Sequence, residues 1–366
     1  MHVRDITFYP VRIPLIEPFV ISLGPFTHAE NLFVRVRSDS GLEGWGEASP
    51  FPTIHGETQH GALAIGRHLA PLLIGLPIGD PSAHTRILNR SIHGNYAVKS
   101  AFDIALYDLA AQQSGQPLYR YLGGTENRPL LTDYTVSLGT VEEMVAAARR
   151  IVPRGFTVIK VKLGGGARED IQRIAAISDA VGGHIPLRID ANQGWTFDEA
   201  VMALRGMEKF NIQHCEAPIN RYDWTRLPAL RKASRIPLMA DESCWNDDDA
   251  RRLSKINAVD RINIKLSKSG GLYTAGRIVA CTTLPLQVGG FLESRLGFSA
   301  AAHFALSDPR IVYYDFDTPL MFSEDPVEGG IVYENGGTVR VPESPGLGAR
   351  LRPEYQLPSP PQNIIQ

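Results

Sequence analysis

Charged residues recur at a nearly constant interval through the second half of this 366-residue chain. Successive members are separated by 24 to 28 residues, and each lies at or just after a short apolar run: Lys162, Asp190, Glu216, Asp241, Lys265 and Glu293. One β-strand, one helix and two short loops occupy about this length, because parallel strands need a crossover of a dozen or more residues. The spacing therefore predicts successive βα units, each with one charge at the same end of its strand. In a (β/α)₈ barrel, active sites are built at that end.

The length and composition fit a barrel with a second, smaller domain, since barrels alone commonly occupy about 250 residues. The formal net charge is −2 and no long basic or acidic run occurs, which argues against nucleic acid or a membrane surface as a partner. The three cysteines form no CxxC pair and favour neither a disulfide framework nor a thiolate zinc site. The first residues contain no secretory apolar segment, and no apolar run reaches about 18 residues. We therefore expect a cytoplasmic protein.

The first part of the chain does not follow the βα rhythm. Residues 2–15 alternate between apolar and polar, as do the residues around Val34, which predicts an antiparallel meander. Helical periodicity is present over 57–73 and, more strongly, over 96–113. We predict an α+β domain over residues 1–125.

The barrel is predicted to occupy residues 126–320, where apolar strands alternate with amphipathic segments. The segment 321–366 loses this rhythm. Residues 339–341 are predicted to form a late strand that returns to the first domain, and residues 352–366, rich in Pro and Gln, to be loose.

Three of the charged residues, Asp190, Glu216 and Asp241, follow consecutive predicted strands. Any one of them could be a solvated side chain or the cap of the next helix. Three hard oxygen donors in consecutive units at matched phase are better explained as a Mg²⁺ site on a rigid frame.

Lysines flank these acids on both sides. Lys160 and Lys162 share one face of a strand, because the side-chain period of a strand is two, and we expect both to point into the barrel, although a surface pair is the alternative. Crowded cations lower each other's pKa, which turns a lysine into a usable base. Lys265 is predicted to lie roughly across the barrel. Lys268 is close by and spacing alone does not choose between them, but Lys265 ends the apolar run.

The motifs around these residues resemble the muconate-lactonizing subgroup of the enolase superfamily. They are IKVKLGGG, RIDANQGW, CEAP, MADES and INIKLSKSGG, together with GWGEASPFP and SAFDIALYDLAA in the first domain. The resemblance implies a modified TIM barrel, (β/α)₇β, with an N-terminal α+β capping domain. It implies Mg²⁺ on Asp190, Glu216 and Asp241, and acid/base lysines at Lys162 and Lys265.

Other residues are assigned supporting roles. Lys160 is expected to add positive charge beside an enediolate intermediate, and Thr135 to contact substrate. Three further residues are expected to position the metal ligands and lysines rather than to contact metal or substrate: Asn192, Lys268 and Glu293. Glu293 is not assigned as a metal ligand. We also expect a homo-oligomer.

Two opposed lysines fit a racemase or epimerase, but cycloisomerases and dehydrating synthases can use the same frame with one. The pair Asp315 and Asp317, in IVYYDFDTPLM, separates these activities. Two carboxylates on one face suit an ammonium group, and the pair resembles the motif by which dipeptide epimerases bind the free α-amino group. N-acylamino-acid racemases and succinylbenzoate synthases have no ammonium to bind. We therefore expect a Mg²⁺-dependent dipeptide epimerase that inverts the C-terminal residue; those enzymes and a muconate-type cycloisomerase are the alternatives.

Specificity is expected to come from loops of the capping domain near residues 18–28 and 49–57. Alanyl-glutamate epimerases place an arginine in the first loop, and the matching position here is Gly24, with no arginine between residues 13 and 34. An uncharged or hydrophobic second residue is therefore expected in the dipeptide, although Glu57 leaves a cationic one open.

Overall fold

The computed structural model describes residues 1–356 and 364–365. In chain order, the strands are β1 (Val3–Ile21), β2 (Gly24–Ser38), β3 (Glu43–Ala48), β4 (Leu130–Leu131), β5 (Tyr134–Val136), β6 (Ile159–Lys162), β7 (Leu187–Asp190), β8 (Ile212–Glu216), β9 (Leu238–Ala240), β10 (Arg261–Lys265), β11 (Leu286–Gly289), β12 (Ile311–Tyr314), β13 (Val327–Gly329), β14 (Val332–Glu334), β15 (Thr338–Arg340), β16 (Ala349–Leu351) and β17 (Ile364–Ile365).

The α-helices are α1 (Pro52–His55), α2 (Gln59–Leu69), α3 (Pro81–Ser91), α4 (Tyr96–Gln113), α5 (Leu118–Tyr121), α6 (Val141–Ile151), α7 (Ala167–Ala180), α8 (Phe197–Met207), α9 (Leu227–Ala233), α10 (Asp247–Lys255), α11 (Leu266–Ser269), α12 (Leu272–Cys281) and α13 (Arg295–Ala305). Short 3₁₀ segments occur at Ala70–Leu72, Val152–Arg154, Arg221–Arg226, Thr318–Met321, Asn335–Gly337 and Pro353–Tyr355. No helix of the described residues is both long and apolar enough to cross a membrane.

The first domain is an antiparallel sheet, in the order β17–β1–β2–β3, that packs against α4. The contact is close because β3 carries glycines where it crosses the helix. A Cβ atom at Gly46 would lie 1.9 Å from the carbonyl oxygen of Ala101, and one at Gly44 would lie 2.1 Å from that of Ala105. Substitution there would therefore push the sheet away from the helix.

The second domain is built on an eight-stranded parallel sheet in the order β5 to β12, with each strand next to its chain neighbour. At least one α-helix follows each of the first seven strands, whereas the eighth is followed by the 3₁₀ segment Thr318–Met321. A parallel bridge between Thr132 and Tyr314 joins the beginning of the sheet to its end. The predicted (β/α)₇β barrel with an α+β cap is confirmed.

Buried carboxylates of the capping domain hold the ends of barrel helices. Glu47 of β3 accepts hydrogen bonds from the backbone N–H groups of Ser294 (2.9 Å) and Gly297 (2.8 Å), at the start of α13. Asp103 of α4 accepts one from the N–H of Tyr273 (3.2 Å), at the start of α12. Because the first N–H groups of a helix have no partner within it, these contacts fix the cap on the barrel.

Several predicted elements differ from the observed ones. The helix predicted over 57–73 is α2 followed by a 3₁₀ turn, and α3 was not predicted. The strand predicted at 339–341 forms as β15, but it pairs with β4 and β14 rather than with the sheet of the first domain. The division of the chain at residues 125 and 320 stays a prediction.

The C-terminal segment reaches the capping domain by another route. The N–H of Leu347 donates to Asp108 of α4 (2.7 Å), and β17 pairs with β1. The loose tail was predicted over 352–366, but residues 353–355 form a 3₁₀ turn. Residues 357–363 and 366 lie outside the described residues.

Candidate active site

Three carboxylates meet at the carboxyl ends of neighbouring barrel strands. Asp190 ends β7, Glu216 ends β8 and Asp241 follows β9, and all three are fully buried. Their ligand oxygens lie within 4.8 Å of one another. We call these residues the acidic triad. Buried, converging hard oxygens on rigid strands are the donor set that suits Mg²⁺, so the residues fit the ion that the sequence predicts.

The two lysines predicted to act as acid and base stand on opposite sides of one cavity. Lys162 ends β6 and Lys265 ends β10, four strands further along the eight-stranded sheet. Both line the same small space, which we call the active-site cavity. Lys162 Nζ lies 2.7 Å from Asp190 Oδ2, and Lys265 Nζ lies 2.8 Å from Asp241 Oδ2.

Lys268 differs from Lys265 in what its ammonium can reach. Its Nζ donates to the carboxylate of Asp241 (2.7 Å), to the carbonyl oxygen of Asp241 (2.6 Å) and to that of Asn263 (2.9 Å). An ammonium has three donors, so Lys268 is fully engaged, and it does not line the cavity. The geometry favours Lys265 as the exchanging base and leaves Lys268 as an anchor of Asp241.

Lys160 lies below the cavity rather than in its wall. Its buried Nζ is 2.9 Å from Glu216 Oε2 and 2.7 Å from Asp315 Oδ2. It therefore links Glu216 of the acidic triad to the pair formed by Asp315 and Asp317, which we call the second carboxylate pair.

The expectation that crowded cations lower the lysine pKa values does not hold for Lys265. Burial lowers the pKa of this lysine most, and the ammonium of Lys160 lowers it further, but the carboxylates of Asp241, Glu216 and Glu242 together outweigh both and raise it. The reason is that the strand ends around Lys265 supply carboxylates in excess of lysines.

Asp315 and Asp317 follow β12, and both line the cavity. The N–H of Thr135 donates to Asp317 Oδ2 (2.6 Å), while buried Asp317 Oδ1 has no hydrogen-bond partner among the residues that the structure describes. Burial, together with the charge of Asp315, raises the pKa of Asp317 to about 7. An incoming cation would find an unsatisfied acceptor here.

A third carboxylate, Asp133, joins this pair and was missed at the sequence level. Oxygens of Asp133, Asp315 and Asp317 lie within 4.8 Å of one another. Arg188 Nη1 donates to Asp133 Oδ2 and to the carbonyl oxygen of Tyr314, each at 2.7 Å. The available signal was strand alternation, since Asp133 is two residues from Thr135 and thus shares its inward face.

Asn192 and Glu293 occupy different positions around the site. The N–H of Asn192 donates to Asp190 Oδ1 (2.9 Å), and its side chain lines the cavity. Glu293 accepts a hydrogen bond from the N–H of Phe291 and is not part of either carboxylate cluster. Its position fits the supporting role that was expected and not a ligand role.

The capping domain closes the cavity with apolar side chains. Phe19, Ile21, Phe51 and Ile54 of the cap face Phe291 of the barrel. Apart from Lys162 and Lys265, no cationic residue of the described part of the chain lines this cavity.

The hairpin of β1 and β2 is fastened to the barrel. Ser22 Oγ donates to the carbonyl oxygen of Asn192 (3.0 Å), and the N–H of Leu138 donates to that of Val20 (2.9 Å). The active-site cavity has a volume of about 30 Å³, which is enough to hold ordered water. These two contacts hold the hairpin over the cavity.

Two residues expected to influence specificity lie away from the cavity lining. Gly24 sits at the hairpin turn with a φ of 125°, and beyond its two chain neighbours no atom of the described residues lies within 4 Å of the position of its Cβ. Phe19 and Ile21 of the same hairpin line the cavity instead. Glu57 accepts hydrogen bonds from the N–H groups of Tyr96 (2.7 Å) and Ala97 (3.1 Å), which caps α4. Its carboxylate is thus committed to the fold.

Comparisons with known proteins agree with this architecture. Residues 3–123 match the family model described as mandelate racemase / muconate lactonizing enzyme, N-terminal domain, and residues 143–355 match the model described as enolase C-terminal domain-like. The chain is 51% identical over 358 residues to the D-Ala-D/L-Ala epimerase of Cytophaga hutchinsonii, with 97% of both chains covered. It is 40% identical to the L-Ala-D/L-Glu epimerase of Bacillus subtilis, with 92% of this chain and 94% of the relative covered.

A solved structure extends the similarity to three dimensions. The dipeptide epimerase from Cytophaga hutchinsonii, complexed with Mg and the dipeptide D-Ala-L-Val, superposes with a TM-score of 0.96 over 97% of both chains at 51% identity. The fold, the two family models and the relatives that match over nearly the whole chain all indicate the same family. This chain is a member of the enolase superfamily, in the group of mandelate racemase and muconate lactonizing enzymes.

Proposed function

We propose that this protein is a Mg²⁺-dependent dipeptide epimerase that inverts the α-carbon of the C-terminal residue, on dipeptides other than Ala-Glu. The observation that carries the proposal is the placement of Lys162 and Lys265. They stand on strands four apart in the barrel sheet and line one cavity, so each can address one face of an α-carbon held between them. Inversion needs a base on one face and an acid on the other.

The substrate carboxylate is expected to bind at the acidic triad. Asp190, Glu216 and Asp241 are the residues that would hold Mg²⁺, which when bound supplies the positive charge that stabilises an enediolate. The uncharged Nζ of one lysine takes the α-proton. The ammonium of the other lysine donates a proton to the opposite face, so that charge and protons balance over one turnover.

The second carboxylate pair supports a substrate with a free amino terminus. Asp315 and Asp317 line the same cavity, and Asp317 Oδ1 is buried without a partner. A buried acceptor of this kind favours an ammonium group over an acylated nitrogen. The names of the two curated relatives, both dipeptide epimerases, point in the same direction.

The cavity wall favours an uncharged C-terminal side chain. Phe19, Ile21, Phe51, Ile54 and Phe291 offer no group to pair with a glutamate carboxylate. His55 packs behind this wall, with its ring 4.6 Å from that of Phe291. Burial and the nearby charge of Lys265 lower the pKa of His55 to about 3, so it is neutral near pH 7.

We further propose that the protein works in the cytoplasm as a homo-oligomer. Its free thiols at Cys215, Cys244 and Cys281 suit a reducing compartment. Leu131 and Val332, 48% and 57% exposed, lie on one face of the sheet β14–β15–β4 and would be covered by a neighbouring subunit.

The test is a substrate panel analysed by chiral chromatography. L-Ala-L-Ala and other L,L-dipeptides with apolar C-terminal residues should yield L,D products with Mg²⁺, and EDTA should abolish the reaction. L-Ala-L-Glu should react at least about tenfold more slowly than L-Ala-L-Ala, because the apolar wall offers no partner for the glutamate carboxylate. Racemisation of N-succinylated amino acids in the absence of dipeptide epimerisation would contradict the proposal.

A further inference from the structure

A large open groove lies directly beside the active-site cavity. It runs between residues 16–20 of β1 and helix α6 and has a volume of about 870 Å³, within the range of about 300–1,000 Å³ common for ligand sites. We call it the side groove. Its apolar lining is provided by Tyr134, Leu138, Met144, Ile151, Leu320 and Met321.

The side groove begins at the end of the cavity that holds the second carboxylate pair. Phe19 and Thr135 line both spaces, so these two residues form the boundary between them. Thr135 is also the residue whose N–H holds Asp317 (2.6 Å). When the ammonium of a ligand binds at Asp317, the other groups on the carbon that carries the ammonium therefore face the side groove.

We propose that the side groove receives the side chain of the substrate's N-terminal residue and takes aliphatic and aromatic side chains there. The inference rests on the proposed function, which sets the C-terminal α-carbon between the two lysines and the ammonium at Asp317. The α-carbon of the N-terminal residue carries both that ammonium and its side chain. The side chain then leaves the cavity past Thr135.

The charges around the groove explain why the preference is apolar. Glu17 and Arg150 form an ion pair with each other at its exposed rim (3.2 Å). The guanidinium of Arg154 lies over the ring of Tyr134, 4.4 Å from its centroid. Glu143 accepts the N–H of Thr140 at the start of α6 (2.9 Å). These charged groups therefore already have partners, which leaves the apolar side chains of the lining as the surface that an incoming uncharged side chain would contact.

Filling the groove from α6 tests this directly. Ala147 is half-buried and lines the groove, so Ala147→Trp would occupy it, and Ala146→Trp does the same from an exposed position if the first variant folds poorly. Arg149→Trp is the matched control, because Arg149 is exposed on the same helix and does not line the groove. All three are compared with the wild type on L-Ala-L-Ala, L-Leu-L-Ala and L-Phe-L-Ala.

The wild type should epimerise L-Leu-L-Ala and L-Phe-L-Ala with kcat/KM no worse than about tenfold below that for L-Ala-L-Ala. The groove-filling variants should lose at least about tenfold in kcat/KM for L-Phe-L-Ala relative to L-Ala-L-Ala, the size of effect expected when a hydrophobic pocket is blocked. The control should keep the wild-type ratio.

Two results would overturn the inference and leave the proposed function intact. One is a wild type that epimerises L-Ala-L-Ala but rejects L-Phe-L-Ala by more than about a hundredfold. The other is an equal loss for both substrates in folded groove-filling variants. If the wild type acts on no dipeptide, L-Ala-L-Ala included, the proposed function itself fails and this inference fails with it.

Discussion

The Nζ atom of Lys160 lies 2.7 Å from Oδ2 of Asp315, a carboxylate that lines the active-site cavity. The same atom reaches Glu216 Oε2 at 2.9 Å. One buried cation thus holds two acidic clusters of like charge together beneath the cavity. Removal of this charge should lower the free energy of unfolding as well as the turnover rate.

Lys160→Met should lower the free energy of unfolding by about 3 kcal/mol, because loss of one partner leaves the other buried charges uncompensated. Urea denaturation at pH 7 in the presence of EDTA measures this. Lys232→Met, at an exposed lysine, is the control and should change little. A loss below about 1 kcal/mol in the Lys160 variant would contradict the bridging role.

Lys265→Ala should abolish epimerisation and leave exchange of the α-proton in only one of the two stereoisomers. The reason is that Lys162 still reaches its own face of the α-carbon. Lys162→Ala should leave exchange in the other stereoisomer. Deuterium uptake from D₂O, followed by proton NMR on L,L- and L,D-dipeptides separately, reports both. Full epimerase activity in Lys265→Ala would mean that another residue, with Lys268 nearest, is the second base.

Asp317→Asn should raise KM for dipeptides about tenfold to a hundredfold with a smaller effect on kcat. A hydrogen bond to a charged group is worth about 1.5–3 kcal/mol, and the amide oxygen can still accept the N–H of Thr135. Steady-state kinetics with L-Ala-L-Ala measure the two constants. Asp223→Asn, at an exposed site, serves as control. An unchanged KM would exclude Asp317 from ammonium binding.

Asp103 gives the fold a pH dependence of predictable sign. Burial raises the pKa of Asp103 from 3.8 to about 7. Between about pH 4 and 7 the folded protein therefore binds a proton that the unfolded chain does not, so the free energy of unfolding falls as the pH rises through this window. At about 1.4 kcal/mol per pKa unit, the share of Asp103 is up to about 4 kcal/mol.

Asp103→Asn should remove this share of the slope. Urea denaturation at pH 5, 6, 7 and 8 compares the variant with the wild type and with Asp248→Asn, at a side chain that is 87% exposed. Buried Glu47 and Asp108 add slope of the same sign, since burial raises their pKa values to about 7 and about 6. An Asp103 variant whose slope equals that of the wild type would show that Asp103 is ionised in the folded protein throughout.

The barrel and its charged strand ends could be predicted because each unit repeats one local pattern. Apolar β-branched runs form strands, a crossover needs a fixed length of chain, and the residue after each run emerges at the same end of the sheet. Asp190 and Glu216 are where this rule puts them, and so is Lys265 at the end of β10.

The positions and partners of residues that depend on tertiary contacts could not be predicted from the sequence. Alternation with Thr135 could place Asp133 on the inward face, but its proximity to Asp315 arises only because the first and last barrel strands meet. Lys265 was preferred over Lys268 from the sequence because it ends the apolar run, but the three acceptors that engage the Lys268 ammonium could not be predicted there. Likewise, nothing local to Glu57 reveals that its carboxylate caps a helix that begins at Tyr96.

The most direct test of two opposed lysines follows the first turnovers of L-Ala-L-Ala in D₂O with Mg²⁺. If one lysine removes the α-proton and the other delivers a solvent-derived deuteron to the opposite face, the L,D product should contain deuterium at the C-terminal α-carbon from the start. The remaining L,L substrate should at first stay protonated there. An early L,D product that retains the original proton would contradict the account, because a single base would then be serving both faces.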